Sequence, residues 1–335
     1  MVCMIYNQVC MVFLTAHKEI YIRIAPIKMA VTILKSSDIM WLTSHNQEDI
    51  TMKTGFIGLG HLGKTLAQRL ISQGEDLIVW NRTNAKAEGL GAKTAADPAD
   101  LINKTKVVFL NLFDSRAVEE VLTGPRGILE GDCAGKLVID TTTNHFDQVV
   151  RFHGMLLQKG GHYLECPVLG SVIPASQGKL TVLVSGSQET FDNALPLLRI
   201  IGSDIIFLCT PGLATKMKLI NNMVLGSFMA TLAEATAFGE LVGLDKEKVL
   251  EILSVGPGNS TVLTAKREKL LKEDFTTHFS TTLLYKDLHY MQDLAWTLRK
   301  PLFTGSVIKE LYGLTCSQDG ANDDFSAIYR VLKGI

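Results

Sequence analysis

The stretch that decides the fold is Lys53–Thr83, KTGFIGLGHLGKTLAQRLISQGEDLIVWNRT. An apolar run, Lys53–Ile57, predicts a first strand. Gly58, Gly60 and Gly63 follow as G-x-G-x-x-G, a helix is expected over about His61–Ser72, and Asp76–Trp80 predicts a second strand. This is the order that a dinucleotide-binding crossover requires. Gly58 permits the tight turn, Gly60 lets backbone approach a pyrophosphate, and Gly63 lets the helix close on the strand. The helix then points its unpaired N–H groups at the phosphate. Leu59, His61 and Leu62 share this loop and are counted with it as cofactor-binding.

The second strand ends in Asn81-Arg82-Thr83, where a ribose-reading residue belongs. A carboxylate there would accept the 2′-hydroxyl of NAD. Arg82 instead offers charge and a fork of donors to a 2′-phosphate, and Thr83 adds a hydroxyl. NADP is therefore expected over NAD. The alternative for Arg82 is a solvated turn residue.

Working outward, the alternation continues. Lys106–Leu110 predicts a strand whose end, Leu110 and Asn111, is assigned to the cofactor. Asp114–Leu122 predicts a helix with Ser115 as cap. Leu137–Ile139 predicts a strand running into a polar end from Asp140, in which Thr143 is assigned to the ribose or nicotinamide, a helix cap being the alternative. The strand His162–Cys166 is followed by an irregular stretch, Pro167–Lys179, then a strand over Thr181–Val184, a helix over Glu189–Ile200 and a strand over Asp204–Cys209. An α/β Rossmann-type dinucleotide-binding domain is thus expected over residues 52–212. Leu213–Val242 then reads as one long helix with Gly226 and Gly239 as its weak points, about 45 Å at the usual rise. Its apolarity on more than one side points to burial between domains or against a second subunit. Further helices make residues 213–335 an all-helical domain.

The chain has 335 residues, 47% apolar and 20% charged, with a formal net charge of −1. That balance, without a basic tail or aromatic-basic interleaving, speaks against nucleic acid as a partner. Six scattered cysteines without C-x-x-C fit a reducing, cytoplasmic setting. No His and carboxylate spacing marks a metal. Residues 1–51 stand apart: the apolar fragment Val9–Leu14 is too short to span a bilayer and lacks the basic flank of a signal peptide. The first convincing strand begins beside Met52. The segment is expected to be a mis-assigned start or disordered, with a genuine extension packed on the domain as the other reading.

With these motifs in view, residues 52–335 resemble the β-hydroxyacid dehydrogenase family, which includes 3-hydroxyisobutyrate dehydrogenases and glyoxylate/succinic semialdehyde reductases. The resemblance is carried by Gly55–Gly63, by Asn81-Arg82-Thr83, by Glu165-Cys166-Pro167-Val168-Leu169-Gly170-Ser171, by Gly212–Asn222 and by Lys286-Asp287. It implies that Lys218 is the catalytic residue with Asn222 as partner, that Val168, Leu169, Gly170 and Ser171 bind substrate beside them, and that Lys286 lies on the cofactor. The chemistry stands on its own terms: hydride transfer to a carbonyl leaves negative charge on oxygen, which a lysine stabilises and protonates. Residues 218 and 222 share a helix face. The alternative for Lys218 is a solvated helix lysine.

Departures from the family pattern are Leu169 where a serine meets the substrate carboxylate, Ser171 for a glycine, Ala214 for a glycine at the start of the long helix, and His145-Phe146 after Thr143. Phe146 is expected to narrow the pocket or to fill core. The function implied is NADPH-dependent reduction of a small aldehyde or keto acid, reversible as hydroxyacid oxidation, in a homodimer or homotetramer. The alternatives are reduction of an imine or uncharged carbonyl, and a non-catalytic NADP-binding scaffold.

Overall fold

The computed structural model describes residues 2–6, 9–16, 19–24 and 53–334. Val2–Tyr6, Val9–Ala16 and Glu19–Ile24 pair as a three-stranded antiparallel sheet, in a unit distinct from Met52–Ile335. The fragment Val9–Leu14 thus belongs to a strand. The remaining expectations for 1–51 lie outside the described residues.

Thr54–Ile57 (β1), His61–Ser72 (α1) and Leu77–Trp80 (β2) form the predicted crossover. The chain continues through Lys93–Thr94 (β3), Pro98–Lys104 (α2), Val107–Leu110 (β4), Ser115–Thr123 (α3), Leu137–Asp140 (β5), Phe146–Gln158 (α4) and His162–Glu165 (β6). These six strands form one parallel sheet in the order β3-β2-β1-β4-β5-β6. Alternate residues feed opposite faces, as the strand period dictates. Phe56, Phe109, Ile139 and Leu164 pack on one side with Leu66, Leu70 and Leu198, while Ile57, Val108, Leu110 and Val138 pack on the other with Leu101 and Phe152.

The register sets the site. Trp80, Ile57, Leu110, Asp140 and Glu165 pair in one row across the sheet. Everything that follows these five residues therefore emerges along a single edge, and the strand order reverses between β1 and β4, where such sheets bind ligands.

The stretch expected to be irregular after β6 contains a two-residue strand, Val168–Leu169 (β7), and a short helix, Val172–Ser176 (α5). Their brevity leaves no periodicity to read. β7 pairs antiparallel with Leu180–Val184 (β8), which pairs parallel with Gly202–Phe207 (β9), and Gln188–Ile201 (α6) lies between these last two. At the start of α3 the cap is Asp114, whose side chain accepts from Ala117 N; Ser115 is already helical and its Oγ accepts from His145 N at 2.6 Å.

The long helix, Leu213–Leu241 (α7), is continuous. Gly226 and Gly239, expected as weak points, are contact points. A Cβ at Gly226 would press on Tyr312 and Ile308, and one at Gly239 would overlap Val249. Around α7 pack Lys246–Val255 (α8), Thr261–Lys272 (α9), Thr281–Thr297 (α10), Phe303–Thr315 (α11) and Ile328–Lys333 (α12), with Met229, Ala233, Leu263, Leu284, Tyr312 and Tyr329 at their core. A smaller cluster of Phe146, Leu219, Met291 and Leu294 joins α4, α7 and α10, so Phe146 fills core. Among the described residues no helix is long and apolar enough to cross a membrane.

Candidate active site

The glycine loop is fixed by backbone crowding. Gly58 has φ +99°, and a Cβ there would overlap the Asn111 carbonyl; a Cβ at Gly63 would overlap the Gly58 carbonyl. Gly60 differs: a Cβ there meets nothing within 4 Å, so the space above it, at the first N–H groups of α1, is open. That space suits a pyrophosphate. Asn81 Oδ1 accepts from Leu59 N at 2.8 Å and Asn81 Nδ2 donates to Thr83 O at 2.9 Å. Asn81 thus holds the loop in shape, while Arg82 and Thr83 are exposed beside it. A groove of about 410 Å³ begins at Gly60 and is bordered by His61, Lys64, Lys86, Thr277 and His278. Lys86, which escaped the sequence reading, lies on the single helical turn Asn84–Ala87 that follows Thr83.

The next two strand ends are tied to each other. Asn111 Nδ2 donates to Thr141 Oγ1 at 2.9 Å, Thr141 Oγ1 donates to Leu110 O at 2.7 Å, and Leu112 N donates to Thr142 Oγ1 at 2.9 Å. Behind them Asp140, fully buried, accepts from Thr142 N, Asn144 Nδ2 and Tyr163 OH. Burial pushes its carboxyl upward while these donors oppose the shift. Thr143 does not cap α4; the cap is His145, whose Nδ1 accepts from Asp147 N.

The helix α7 begins on a carboxylate. Gly212, at φ +89°, turns the chain, so the left-handed position falls there and the following Ala214 is buried helix. Glu165 Oε1 accepts from Gly212 N at 2.6 Å and Ala214 N at 3.3 Å, and Oε2 accepts from Thr215 Oγ1 at 2.7 Å. A buried anion at a helix N-terminus is favourable because the first N–H groups lack intrahelical acceptors. Burial pushes the Glu165 carboxyl upward, and those hydrogen bonds pull against it.

Thr215, Lys218, Leu219 and Asn222 continue along the buried face of α7. Lys218 is 8% exposed, and among the described residues its ammonium has no hydrogen-bond partner. Burial pushes its pKa down to about 8, against the pull of Asp287 and with a smaller push from Lys286. Asn222 Nδ2 donates to Asp287 Oδ2 at 2.6 Å. Lys286 Nζ donates to Thr143 O at 2.8 Å and Phe113 O at 2.9 Å and lies 3.1 Å from Asp287 Oδ1. It thereby clips α10 to the loops after β4 and β5. Lys216 sits off this face, 5.9 Å from the Phe146 ring centroid.

Val168 and Leu169 lie on β7, Gly170 turns at φ +116°, and Ser171 precedes α5 without capping it through its side chain. Asp140, Glu165, Tyr163 and Lys86 are the residues that sequence reasoning passed over. Among the described residues no group of three His, Cys, Asp or Glu is placed to hold a metal ion.

Comparison with known proteins brings the two halves together. Residues 53–210 match the family model described as the NAD binding domain of 6-phosphogluconate dehydrogenase. Residues 212–332 match the one described as NAD-binding of NADP-dependent 3-hydroxyisobutyrate dehydrogenase. Glyoxylate/succinic semialdehyde reductase 2 of Arabidopsis thaliana is 32% identical over 84% of this chain and 80% of its own length. Cytokine-like nuclear factor N-PAC of Mus musculus is 32% identical over 83% of this chain, which spans only about half (50%) of that relative. Among solved structures, Psf3 in complex with NADP+ and 2-OPP superposes with a TM-score of 0.78 at 27% identity, covering 83% of this chain and 99% of that one.

Replacing Glu165 by Ala leaves Gly212 N and the Thr215 hydroxyl buried without their acceptor, while Ala214 N keeps Ser185 Oγ at 3.0 Å, and is expected to cost about 3 kcal/mol in urea unfolding. Glu165→Gln, which retains one acceptor, should cost about 1–2 kcal/mol. An alanine variant as stable as the parent would show that the clamp contributes nothing.

Proposed function

The chain belongs to the β-hydroxyacid dehydrogenase family, and from that premise we propose that it is an NADPH-dependent reductase of a small aldehyde or keto acid, reversible as a hydroxy-compound dehydrogenase. In this reading residues 52–212 hold the cofactor and 213–335 form the helical substrate and dimerisation domain. The observation that carries it is the buried ammonium of Lys218, which has no hydrogen-bond partner among the described residues and feels the charge of Asp287, itself tied to Asn222 one helical turn on. Among the described residues the thiols of Cys133, Cys166, Cys209 and Cys316 are free, which supports a cytoplasmic setting.

The residues present fit the cofactor: open space at Gly60, the first turn of α1, and exposed Arg82, Thr83 and Lys86 for a 2′-phosphate. NADPH, when bound, supplies the hydride. The chain's own part is to bind and protonate. Lys218 Nζ, protonated, donates a hydrogen bond to the carbonyl oxygen, stabilises the charge that develops there and gives up its proton to form the alcohol, leaving a neutral amine. Asn222, tied to Asp287, keeps that side of α7 in place. Burial tunes the acid towards the operating range, since an ordinary lysine would hold its proton too tightly for rapid exchange.

Lys218→Ala should lower kcat for reduction about 10²–10⁴-fold while NADPH binding survives; near-normal turnover would reject the assignment. Because reduction needs the protonated amine, its rate should fall as pH rises through about 8, and the reverse oxidation should rise over the same range. A flat profile across that range in both directions would exclude Lys218 as the acid.

Arg82→Ala is expected to weaken NADPH binding at least about tenfold, with NADH binding nearly unchanged. Equal losses for the two cofactors, measured as dissociation constants, would remove Arg82 from the 2′-phosphate site.

We also propose a homodimer or homotetramer built on α7. Leu213, Met217, Ile220, Val224 and Phe228 recur at helical spacing and are each between 38% and 49% exposed, on the side away from Lys218. An apolar stripe of this kind is a protein contact. Sedimentation should give an oligomer that dissociates when Val224 and Phe228 are both changed to Glu; a parent chain that sediments as a monomer at micromolar concentration would contradict it.

A further inference from the structure

We propose that His278, carried by the helical half, binds the diphosphate of the cofactor, its imidazole donating a hydrogen bond to a diphosphate oxygen from the part of the groove that the glycine loop does not form. The proposal rests on the dinucleotide reading of that loop and goes beyond it, because the crossover of β1, α1 and β2 accounts for only one wall. The groove of about 410 Å³ at Gly60 draws its lining from both halves of the chain. Gly60, His61, Lys64 and Lys86 come from the half built on the parallel sheet, whereas Thr277 and His278 come from the segment between α9 and α10. Two lysines and two histidines line it, and no carboxylate does. Such a lining favours an anion. The anion that belongs at Gly60 is the diphosphate, since there the backbone leaves open space at the first N–H groups of α1.

The backbone that carries His278 is fixed from beneath. His278 N and Phe279 N donate to one oxygen, Asp324 Oδ2, at 3.1 and 3.2 Å. Asp324 is fully buried, and Lys266 Nζ donates to its Oδ1 at 2.7 Å and its Oδ2 at 2.9 Å. Phe325 N donates to Phe279 O at 2.9 Å, and the Thr277 hydroxyl donates to Asn322 O. A side chain presented on so tethered a segment loses little freedom on meeting a ligand. The imidazole itself stays outside this network: among the described residues only the backbone N–H of His278 is engaged, and the partly buried ring lines the groove.

Charge makes the contact depend on pH. Burial first, then Lys269 and Lys266 on α9, hold the free imidazole below the ordinary histidine pKa, while Asp324 and Asp274 pull the other way. His61, Lys64 and Lys86 line the same groove. At neutral pH the free ring is therefore uncharged, with one N–H to donate. A diphosphate adds negative charge beside it, which favours the imidazolium and raises its pKa in the complex. A group whose pKa rises on binding takes up a proton, so binding tightens as pH falls through the interval between the free and bound values.

The test titrates the full chain with NADH and with NADPH, following coenzyme fluorescence, so that no turnover is read. His278→Ala should weaken both coenzymes about tenfold and by the same factor, because both carry the diphosphate. A loss confined to NADPH would move His278 to the 2′-phosphate and overturn the proposal, and so would unchanged dissociation constants for both. His278→Gln keeps an N–H donor but cannot titrate. At pH 8 it should bind NADH within about threefold of the parent, and between pH 8 and pH 6 the parent should tighten at least about threefold more than this variant. NADH serves for the pH series because it has no 2′-phosphate to titrate. An equal pH response in parent and glutamine variant would overturn the proposal while leaving the dinucleotide reading intact. A parent chain that binds neither coenzyme would overturn both.

Discussion

The rest of the site depends on one buried carboxylate. Glu165 closes β6 and, through both oxygens, receives Gly212 N, Ala214 N and the Thr215 hydroxyl at the first turn of α7. A 29-residue helix anchored at its first turn has its rotation about its own axis set there. That rotation puts Lys218 and Asn222 on the inner face and the Leu213–Phe228 stripe on the outer one. Asp287 and Lys286 follow, since Asn222 holds the first and the first lies beside the second. Lys286 in turn clips α10 to the loops at the ends of β4 and β5, and so ties the helical half to the parallel sheet a second time.

These contacts are expensive to assemble. Lys218, Glu165 and Asp140 are all buried, and burial disfavours the charged form of each. A core of hydrocarbon would be cheaper to fold, because a buried ion pair seldom recovers its desolvation cost. The pairs differ in how far they are satisfied. Asp140 and Glu165 accept three hydrogen bonds each and act as struts. Lys218 is left with donors to spare, and its pKa has moved down to about 8.

The nucleotide half was legible in the sequence because its signals are local. Strand, glycines and helix fall within Lys53–Thr83, and each glycine's need is set by neighbours a few residues away. The long helix was legible for the same reason, having no proline over nearly thirty residues. Glu165 was not, since its partners lie 47 to 50 positions downstream and a glutamate at a strand end has no local signature. Lys286 could be assigned to the cofactor edge, but that its donors serve Thr143 and Phe113 is a tertiary fact. Gly226 and Gly239 misled for the opposite reason. Propensity marks them as weak, whereas packing against Tyr312, Ile308 and Val249 makes them necessary. Asp114 displaced Ser115 as the cap of α3 by a single position, within the usual uncertainty of helix ends.

The crowding at Gly58 and Gly63 has a consequence for how such a chain can diverge. Backbone carbonyls fill the volume in which side chains at these two positions would stand, so the cradle for the diphosphate is closed to variation. Arg82, Thr83 and Lys86, by contrast, stand in solvent at the end of β2 and constrain nothing beneath them. Selection for one reduced coenzyme or the other can therefore act on a few surface codons while the scaffold that carries the pyridine ring stays as it is.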